Sequence, residues 1–390
     1  MRKRCKQQNA PPFHKRALRL SYSSIVIPFS IFYSSVNAVS DMEKLFVKKF
    51  IPVYQEGKFV CIGYANDKER YLEMEYSDQL MIQLQQVVRE GISSEDLDIP
   101  LFSKLNNLDF LEPLENFAEI TDINRDRIYF QYLGNDNFNE GIFSTRILIF
   151  GAGAGGSTIT YMLAQMGFHN LVLVDFDTVS KTDIHKSVVL KAADIGMPKV
   201  EAVAKHIRHN FGIDIQYQEH KFIAYDDLEE IIGRYNPDFI IKACDPELIF
   251  RSNLSRICFG NRIPYINMAY AFEKLRLGPL YIPGFTCCDE SFNNLQKKTY
   301  GEHYDFRNDK KLFVGSLVHP AVSFNVSLLG AFILKEIVMY LTGQYEYCFT
   351  IGRLVVFNPL SLEYHYWNAD CEDNCPVCKP LLIDHIYENN

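Results

Sequence analysis

The chain is poor in several features that would identify whole classes of protein. It has one tryptophan in 390 residues, and its 40 Lys and Arg are outnumbered by 48 Asp and Glu, which gives a net charge of −8. A non-specific nucleic-acid binder needs a basic surface, so no nucleic-acid partner is expected. Ten cysteines are too few for a disulfide scaffold of this length. With 47% hydrophobic residues, however, the chain has enough apolar surface for one large or two smaller domains.

The first forty residues contain an apolar run that is too short to span a membrane. It extends from Ile25 to Tyr33 and is interrupted by Pro28, whereas a span needs roughly 20 residues. Seven basic residues precede it and Val36-Asn37-Ala38 follows it, which is the shape of a secretory signal peptide. Residues 1–41 could instead be a disordered extension, or translation could start at Met42.

Residues 42–113 have the pattern of a small winged-helix-like domain. Two apolar-aromatic runs, 50–54 and 59–64, flank Gln55-Glu56-Gly57-Lys58 and predict a β-hairpin, and residues 70–74 predict a third strand. Ser77 then precedes apolar residues at helical spacing, and Ser93 or Ser94 opens a second helix before residues 101–111.

The function of this domain has two interpretations at the level of sequence. Acidic side chains on its predicted helices, among them Glu90, Glu95 and Asp98, make DNA a poor partner. A domain with an exposed strand edge and a helical groove can hold an extended peptide by strand addition. The alternative is a structural cap on the main domain.

After a predicted linker helix within residues 114–140, the region 141–385 alternates strands with helices. The predicted strands are 147–150, 171–175, 215–217 and 239–243, and the predicted helices between them include 157–166 and 199–210. Such alternation predicts an α/β fold with a doubly wound, mostly parallel sheet.

A glycine-rich loop follows the first of these strands. The sequence runs from strand 147–150 directly into Gly151-Ala152-Gly153-Ala154-Gly155-Gly156-Ser157 and then into a helix. Glycines permit a tight turn and a close backbone approach, and the helix N-terminus offers free N–H groups to phosphate. Asp175 ends the second strand 24 residues after Gly151, where an acid can accept hydrogen bonds from ribose hydroxyls. The pattern predicts a nucleotide site.

The residues after this loop differ from those expected of a dehydrogenase. In chain order they are Asp175-Phe176-Asp177, Asp183, His185, Lys186, Gly196-Met197-Pro198-Lys199 and Ala243-Cys244-Asp245. Over residues 120–380 the sequence thereby resembles the adenylating superfamily of ThiF, MoeB and the ubiquitin-activating enzymes. The resemblance implies a cytoplasmic, homodimeric adenylyltransferase with no membrane partner.

The resemblance also implies a role for individual residues. ATP would be held by the loop (Gly151, Gly153, Gly155, Gly156 and Ser157) together with Asp175, Asp177 and Asp183. Lys199 would bind the phosphates and Asp245 would bind Mg²⁺. Arg127 of a neighbouring subunit would extend across the dimer interface into the site. Lysine and metal are suited to this chemistry because they neutralise the charge that develops on pyrophosphate.

One segment departs from the family pattern. Where the family reads Asn-Leu-x-Arg-Gln, this chain has Asp183-Ile184-His185-Lys186-Ser187. An amide is replaced by an acid, and an arginine is replaced by a lysine. Lysine binds phosphate less well than arginine, because its ammonium lacks the bidentate geometry of a guanidinium. Lys186 could still act on the phosphates, or Asp183 and Lys186 could simply pair with each other on a loop.

Five of the ten cysteines fall late in the chain, at 287, 288, 371, 375 and 378. Cys375-Pro-Val-Cys378 points two thiolates at one ion, which is half of a zinc knuckle. The other half would lie in Pro283–Ser291, which resembles the family's Pro-Gly-x-Thr-x-Cys-x-x-Cys with Ser291 in place of the second cysteine. Cys288, Cys375 and Cys378 are then the candidate Zn²⁺ ligands, with Cys371 or Cys287 as the fourth. The alternative is a set of relic cysteines without metal.

Residues 263–267 and 278–284 resemble those of the MccB type of this superfamily, which carries an N-terminal peptide clamp. Like that type, the chain has no cysteine between Cys288 and His319 to form a covalent thioester. The resemblance implies AMP transfer to a peptide carboxyl or amide during modification of a ribosomally made peptide, with Tyr265 and Asn267 flanking the end of the peptide. Activation of a ubiquitin-like sulfur carrier, or a catalytically lapsed binding module, are the two alternatives.

Overall fold

The computed structural model describes residues 44–48, 50–65, 67, 69–113, 129–130, 133, 140–222, 224–244, 248–300, 321–368, 370–371 and 375–378. These residues form two compact units, an N-terminal unit within residues 1–124 and a C-terminal unit within residues 125–390. The leader 1–41 and most of the linker 114–140 lie outside the described residues, so their predicted structures stay predictions. Within the linker, Tyr129 and Phe130 are helical.

The N-terminal unit contains the predicted strands. Its strands are β1 (Leu45–Val47), β2 (Val53–Glu56), β3 (Phe59–Gly63), β4 (Tyr71–Glu75) and β5 (Leu111–Pro113). Strands β2, β3 and β4 form an antiparallel meander, as the hairpin pattern predicts, and β1 pairs with β5 in a separate antiparallel ladder.

Two α-helices pack against these strands. Helix α1 (Asp78–Gln85) begins at the predicted cap, since the Ser77 hydroxyl accepts the Leu80 N–H at 3.1 Å. A π-helical turn, Gln86–Glu90, continues it. A 3₁₀ turn (Ser94–Asp98) and helix α2 (Pro100–Asn107) follow.

The second predicted helix is shorter than its sequence pattern indicates. Ile99 has extended backbone because the residue before a proline is driven out of the helical region, so α2 starts at Pro100. After α2 the backbone turns at Asp109, where φ is +58°, and Lys48 and Arg70 donate to its carboxylate at 2.8 and 2.9 Å. The apolar residues from Leu111 onward consequently form strand β5, not the end of a helix.

The C-terminal unit is built on one eight-stranded sheet. Its strands are β6 (Ile147–Phe150), β7 (Leu171–Asp175), β8 (Gln216–Glu219), β9 (Phe239–Lys242), β10 (Tyr265–Ala271), β11 (Lys274–Tyr281), β12 (Arg353–Asn358) and β13 (Glu363–Asn368). The spatial order is β13-β12-β11-β10-β9-β6-β7-β8, and the five strands from β10 to β8 are parallel. This is the predicted mostly parallel α/β sheet.

Helices cover both faces of the sheet. They are α3 (Ala154–Met166), α4 (Lys181–Ile184), α5 (Lys199–Phe211), α6 (Tyr225–Tyr235), α7 (Leu248–Gly260), α8 (Asp289–Tyr300) and α9 (Ser323–Leu341). Apolar residues of α3, α5 and α9 form the core on one face, and those of α6, α7 and α8 form the core on the other. Because the chain runs outward from β6 through β7 on one side and continues at β9 on the other, a crevice opens at the carboxyl ends of β6 and β9.

Helix α9 is the one helix among the described residues that is long and apolar enough to cross a membrane. Half of it is buried within the protein, where Leu329, Ile333 and Ile337 contribute to the core beside α3. Burial of this kind is typical of a core helix. The cytoplasmic location stays a prediction.

Candidate active site

The glycine loop lies at the carboxyl end of β6, in the crevice of the sheet. Gly151 has φ +103°, and a Cβ there would lie 2.9 Å from the Ala243 carbonyl oxygen. A Cβ on Gly156 would lie 1.8 Å from the Gly151 carbonyl oxygen. Glycine is therefore required at both positions by the fold itself.

Gly153 and Gly155 have a different environment. A Cβ on Gly153 would contact nothing within 4 Å, and one on Gly155 would meet only the Met268 methyl group at 3.2 Å. Gly153 is the N-cap of α3, so the first N–H groups of this 13-residue helix start beside this open space. A phosphate fits such a place because the helix dipole and the N–H groups both favour an anion.

Helix α3 begins three residues earlier than predicted, inside the glycine loop, and this changes the environment of Ser157. Ser157 is fully buried in the first turns of the helix, where its hydroxyl donates to the Ala154 carbonyl at 3.1 Å and lies 3.0 Å from the Ser187 hydroxyl. Its side chain thus ties the loop to the segment after α4. The predicted contact of Ser157 with ATP stays a prediction.

Asp175, at the end of β7, holds the glycine loop in place. Its two carboxylate oxygens accept the Ala152 N–H at 2.6 Å and the Asp177 N–H at 2.8 Å. Each carboxylate oxygen has a second lone pair, so this geometry is compatible with acceptance of a ribose hydroxyl.

Lys199 lies close to the acidic residues that follow β7. The backbone brings it there because Thr178 and Pro198 form a β-bridge and the Lys199 N–H donates to the Asp177 carbonyl at 2.9 Å. Lys199 Nζ is 2.9 Å from Asp177 Oδ2 and 3.9 Å from Asp183 Oδ1. The predicted phosphate-binding lysine is therefore held between two carboxylates at the start of α5.

Asp183, the acid that departs from the family pattern, has a structural role in this arrangement. It completes a capping box at the start of α4 by accepting the Ser180 N–H at 2.9 Å and the Ser180 hydroxyl at 2.6 Å. Lys186 Nζ lies 3.7 Å from its other oxygen. Burial raises the pKa of Asp183, but the hydrogen bonds from Ser180 and the charges of Lys199 and Lys186 outweigh it, so the net pKa is lowered.

Two predicted residues, Arg127 and Asp245, lie outside the described residues. Their roles at the dimer and at Mg²⁺ stay predictions.

The late cysteines converge on the face of the sheet that carries α6, α7 and α8. The thiol sulfurs of Cys288, Cys375 and Cys378 all lie within 4.8 Å of one another and are buried. Cys371 joins them, with its sulfur 2.6 Å from that of Cys378, and the Ser291 hydroxyl lies 3.5 Å from Cys378 Sγ. Three mutually close thiols, with a fourth beside one of them, are a donor set that suits tetrahedral Zn²⁺. We call these four residues the thiol cluster.

The electrostatics of the thiol cluster favour ligation. The hydrogen bond with Cys288 lowers the pKa of the Cys378 thiol to about 4, against the effect of burial, and Cys371 and Ser291 lower it further. A lowered pKa favours the thiolate, which is the form that binds metal, whereas the hydrogen bond with Cys378 raises the pKa of the Cys288 thiol. Burial raises the pKa of Cys287, which is a neighbour in sequence but has no hydrogen bond to the cluster among those of the described residues.

Sequence analysis did not single out the charged group beside the thiol cluster. Arg251 on α7 makes a bidentate ion pair with Asp289, the first residue of α8, with both N···O distances at 2.9 Å. Burial raises the pKa of Asp289, but Arg251, Tyr281 and Lys242 lower it below its usual range. Only the position of Asp289 next to Cys288 could have pointed to it.

The comparisons with known proteins agree with this geometry. The sequence pattern of the ThiF family matches residues 124–377. The chain belongs to the ThiF family. The match spans the glycine loop, the lysine of α5 and three of the four cysteines of the thiol cluster, so the predicted family is confirmed.

The relatives of this ThiF-family chain include adenylyltransferases and activating enzymes. The molybdopterin-synthase adenylyltransferase of Escherichia coli strain K12 is 29% identical over 242 residues, which are 61% of this chain and 89% of that protein. The SAMP-activating enzyme E1 of Haloferax volcanii is 29% identical over 134 residues, 34% of this chain and 48% of that enzyme. The chain is thus an adenylyltransferase, and its use of ATP follows from the family.

Solved structures share the fold of this family member over most of its length. Escherichia coli MccB with AMPCPP and MccA has a TM-score of 0.61 at 18% identity, covering 86% of this chain and 100% of MccB. PaaA has a TM-score of 0.60 at 19% identity and covers 82% and 98%. At such identities the likeness concerns the fold.

Substitution of Gly156 tests the glycine loop of this adenylyltransferase. We expect Gly156→Ala to lower the free energy of unfolding by about 3 kcal/mol, because the new methyl group would collide with the Gly151 carbonyl. Gly153→Ala is the matched control. It should leave the free energy of unfolding within about 0.5 kcal/mol of wild type but weaken ATP binding, since its methyl group enters the open space. Urea denaturation and ATP titration measure both, and a Gly156→Ala protein of wild-type stability would contradict the loop geometry.

Proposed function

We propose that this adenylyltransferase transfers AMP to the carboxyl or amide group of a peptide, in the modification of a ribosomally made peptide. The observation that carries the proposal is the N-terminal unit. The fold shared with MccB covers 86% of the chain, more than the C-terminal unit alone provides, and MccB was solved in complex with MccA. The molybdopterin-synthase adenylyltransferase of Escherichia coli matches only 61% of the chain.

The N-terminal unit is suited to hold a peptide. Its three-stranded sheet ends in two edge strands, β2 and β4, and their backbones can accept an additional extended strand. Tyr54 and Tyr76 are exposed beside these edges and offer apolar surface. In this proposal the unit binds the leader part of the peptide, while the C-terminal unit performs the chemistry.

In the reaction, an oxygen of the substrate attacks the α-phosphorus of ATP, and the bond to the β-phosphate oxygen breaks to release pyrophosphate. The residues of this chain would bind and orient the nucleotide. The N–H groups at the start of α3 would receive phosphate oxygens, Asp175 would hold the ribose, and Lys199 would leave Asp177 to neutralise the phosphates. Lys186, whose side chain is 31% exposed and lies 3.7 Å from Asp183, would be the second cation to act on the phosphates.

We also propose the two metals and the homodimer. Mg²⁺, which we assign to Asp245, supplies neutralisation of the charge on pyrophosphate. Zn²⁺ would be bound by Cys288, Cys371, Cys375 and Cys378. It would link the residue before α8 to the three cysteines near the end of the chain and so stabilise the fold. The homodimer would bring Arg127 of each subunit to the site of its neighbour.

A second candidate, activation of a small sulfur-carrier protein that ends in Gly-Gly, is favoured by the activating enzymes among the sequence relatives. A lapsed binding module is the third candidate, because Asp183 and Lys186 replace the family's amide and arginine.

ATP–pyrophosphate exchange separates the three candidate functions. We expect isotope exchange with at least one of a set of short synthetic peptides that differ only in their last residue, and none with a Gly-Gly-ended carrier. Exchange with the carrier alone would refute the peptide proposal, and exchange with neither would support the lapsed module.

A further inference from the structure

Asp289 joins four elements on the face of the sheet that carries α7 and α8. It is the first residue of α8, and only 3% of it is exposed. Its carboxylate accepts the Tyr281 hydroxyl of β11 at 2.8 Å, the Asn267 amide of β10 at 3.3 Å, and two N–H groups of Arg251 on α7 at 2.9 Å. Four hydrogen bonds from three donor residues thus converge on one buried carboxylate.

Such a group is unusual for a purely structural contact. A buried ion pair gains little net stability over apolar packing, because two charges must leave water. Its geometric effect is larger, since a bidentate pair fixes both the distance and the orientation of the elements it joins. The pair of Arg251 and Asp289 therefore fixes the first turn of α7 relative to α8 more than it stabilises the fold.

The elements held by Asp289 lie next to the glycine loop. Asn267 is in register with Lys242, which is in register with Phe150 at the end of β6. The next residue of β10, Met268, has its methyl group 3.2 Å from the position of a Cβ on Gly155. Lys242 Nζ donates to the carbonyl of Cys244. The Cβ of Cys244 lies 3.0 Å from the position that a Cβ on Gly151 would occupy. On β10 and at the end of β9, the residues of this network are therefore sequence neighbours of residues that contact the glycine loop.

We propose that Asp289 is a positioning residue for adenylyl transfer, which holds the first turn of α7 through Arg251 and the end of β10 through Asn267 in the arrangement the reaction needs. This inference rests on the adenylyltransferase activity of the chain, and the peptide proposal supplies only the substrate for its assay. Displacement of about 1 Å at a site can cost on the order of a hundredfold in rate, so loss of this restraint should be visible in kcat.

The test is the double variant Arg251→Met with Asp289→Asn. It removes both charges of the ion pair together, Lys242 keeps its hydrogen bond to the Cys244 carbonyl, and the new amide can still accept from Tyr281 and Asn267. We expect an unchanged melting temperature and an unchanged dissociation constant for ATP. The kcat of ATP–pyrophosphate exchange with the peptide that wild type accepts should fall by about 10- to 100-fold.

A matched control lies at the opposite end of the same sheet. Arg146 and Asp238 also form a bidentate pair, with N···O distances of 3.2 and 3.0 Å, just before β6 and β9. Arg146→Met with Asp238→Asn should leave kcat at the wild-type value. Equal losses of kcat in the two double variants would overturn the positioning role. So would a loss of kcat that occurs only in the Arg251 variant but together with a lower melting temperature.

A second measurement needs no peptide. Amide hydrogen–deuterium exchange across α7 should become about tenfold faster in its first turn when Arg251 and Asp289 are both replaced, and should not change in the control pair. If wild type shows no exchange with any peptide, the substrate proposal fails, while this measurement still decides the inference. Wild-type protection of α7 in the Arg251 and Asp289 variant would refute it.

Discussion

Lys199→Ala is expected to lower the kcat of ATP–pyrophosphate exchange by about 100- to 1,000-fold. Lys199 is the cation at the start of α5. Its Nζ lies 2.9 Å from Asp177 Oδ2 and 3.9 Å from Asp183 Oδ1. The charge that develops on pyrophosphate in the transition state needs a fixed cation, and loss of one such group typically has an effect of this size. The measurement is isotope exchange with the peptide that wild type accepts, together with titration of ATP.

The same helix offers a control for this prediction. Lys205 is two turns further along α5 and 55% exposed, where it lies 3.5 Å from Asp194. Lys205→Ala removes the same charge from the same helix and should retain wild-type kcat. Circular dichroism should show both variants folded. If Lys199→Ala retains more than about a third of the wild-type kcat, then Lys199 does not act on the phosphates.

Loss of the thiol cluster is expected to have the largest effect on stability. We expect about one Zn²⁺ per purified chain, and Cys375→Ser or Cys378→Ser should remove it and lower the melting temperature by about 10 °C or more. Both residues are buried at the end of the described chain, and metal binding would tie them to Cys288 at the start of α8. Metal analysis by mass spectrometry and thermal unfolding measure the two effects.

The neighbouring cysteines distinguish the fourth ligand. Cys371→Ser should weaken zinc binding, because its sulfur lies 2.6 Å from Cys378 Sγ. Cys287→Ser is the matched control, since Cys287 is as buried as Cys288 but belongs to no sulfur contact among the described residues, and it should keep one zinc per chain. Fewer than about 0.2 zinc per wild-type chain would reject the metal and leave relic cysteines as the explanation.

Sequence analysis predicted the features whose signals are local. The order of strands and helices follows from runs of apolar residues, and the glycine loop with Asp175 follows from spacing along one strand–turn–helix unit. Predicted boundaries were less accurate. Helix α3 begins at Ala154 and not at Ser157, because Gly155 and Gly156 already adopt helical backbone, and β8 runs from Gln216 and not from Ile215.

Sequence patterns alone also left alternatives open on which the structure bears. Asp183 was either a nucleotide ligand or half of a loop pair with Lys186; the structure shows it as the capping acid of α4 beside two lysines, and its contact with ATP stays a prediction. Cys371 and Cys287 were equal candidates beside Cys378, and only Cys371 reaches the cluster. The contact of Asp183 with Ser180 has the three-residue spacing of a capping box, whereas no spacing in the sequence distinguishes Cys371 from Cys287.

The sequence, with its acidic balance, single tryptophan and late cysteines, by itself determined the fold class, the family and the place of the nucleotide loop. Those properties depend on neighbours within one strand, one turn or one helix, whose spacing is written along the chain. The convergence of Cys288 with Cys375, 87 residues away, was expected from the family resemblance, whereas the pairing of Arg251 with Asp289, 38 residues away, was decided only by the tertiary structure. Such pairs form because the parallel sheet brings α7, α8 and the chain end onto one face, and that packing depends on the whole core rather than on any local segment.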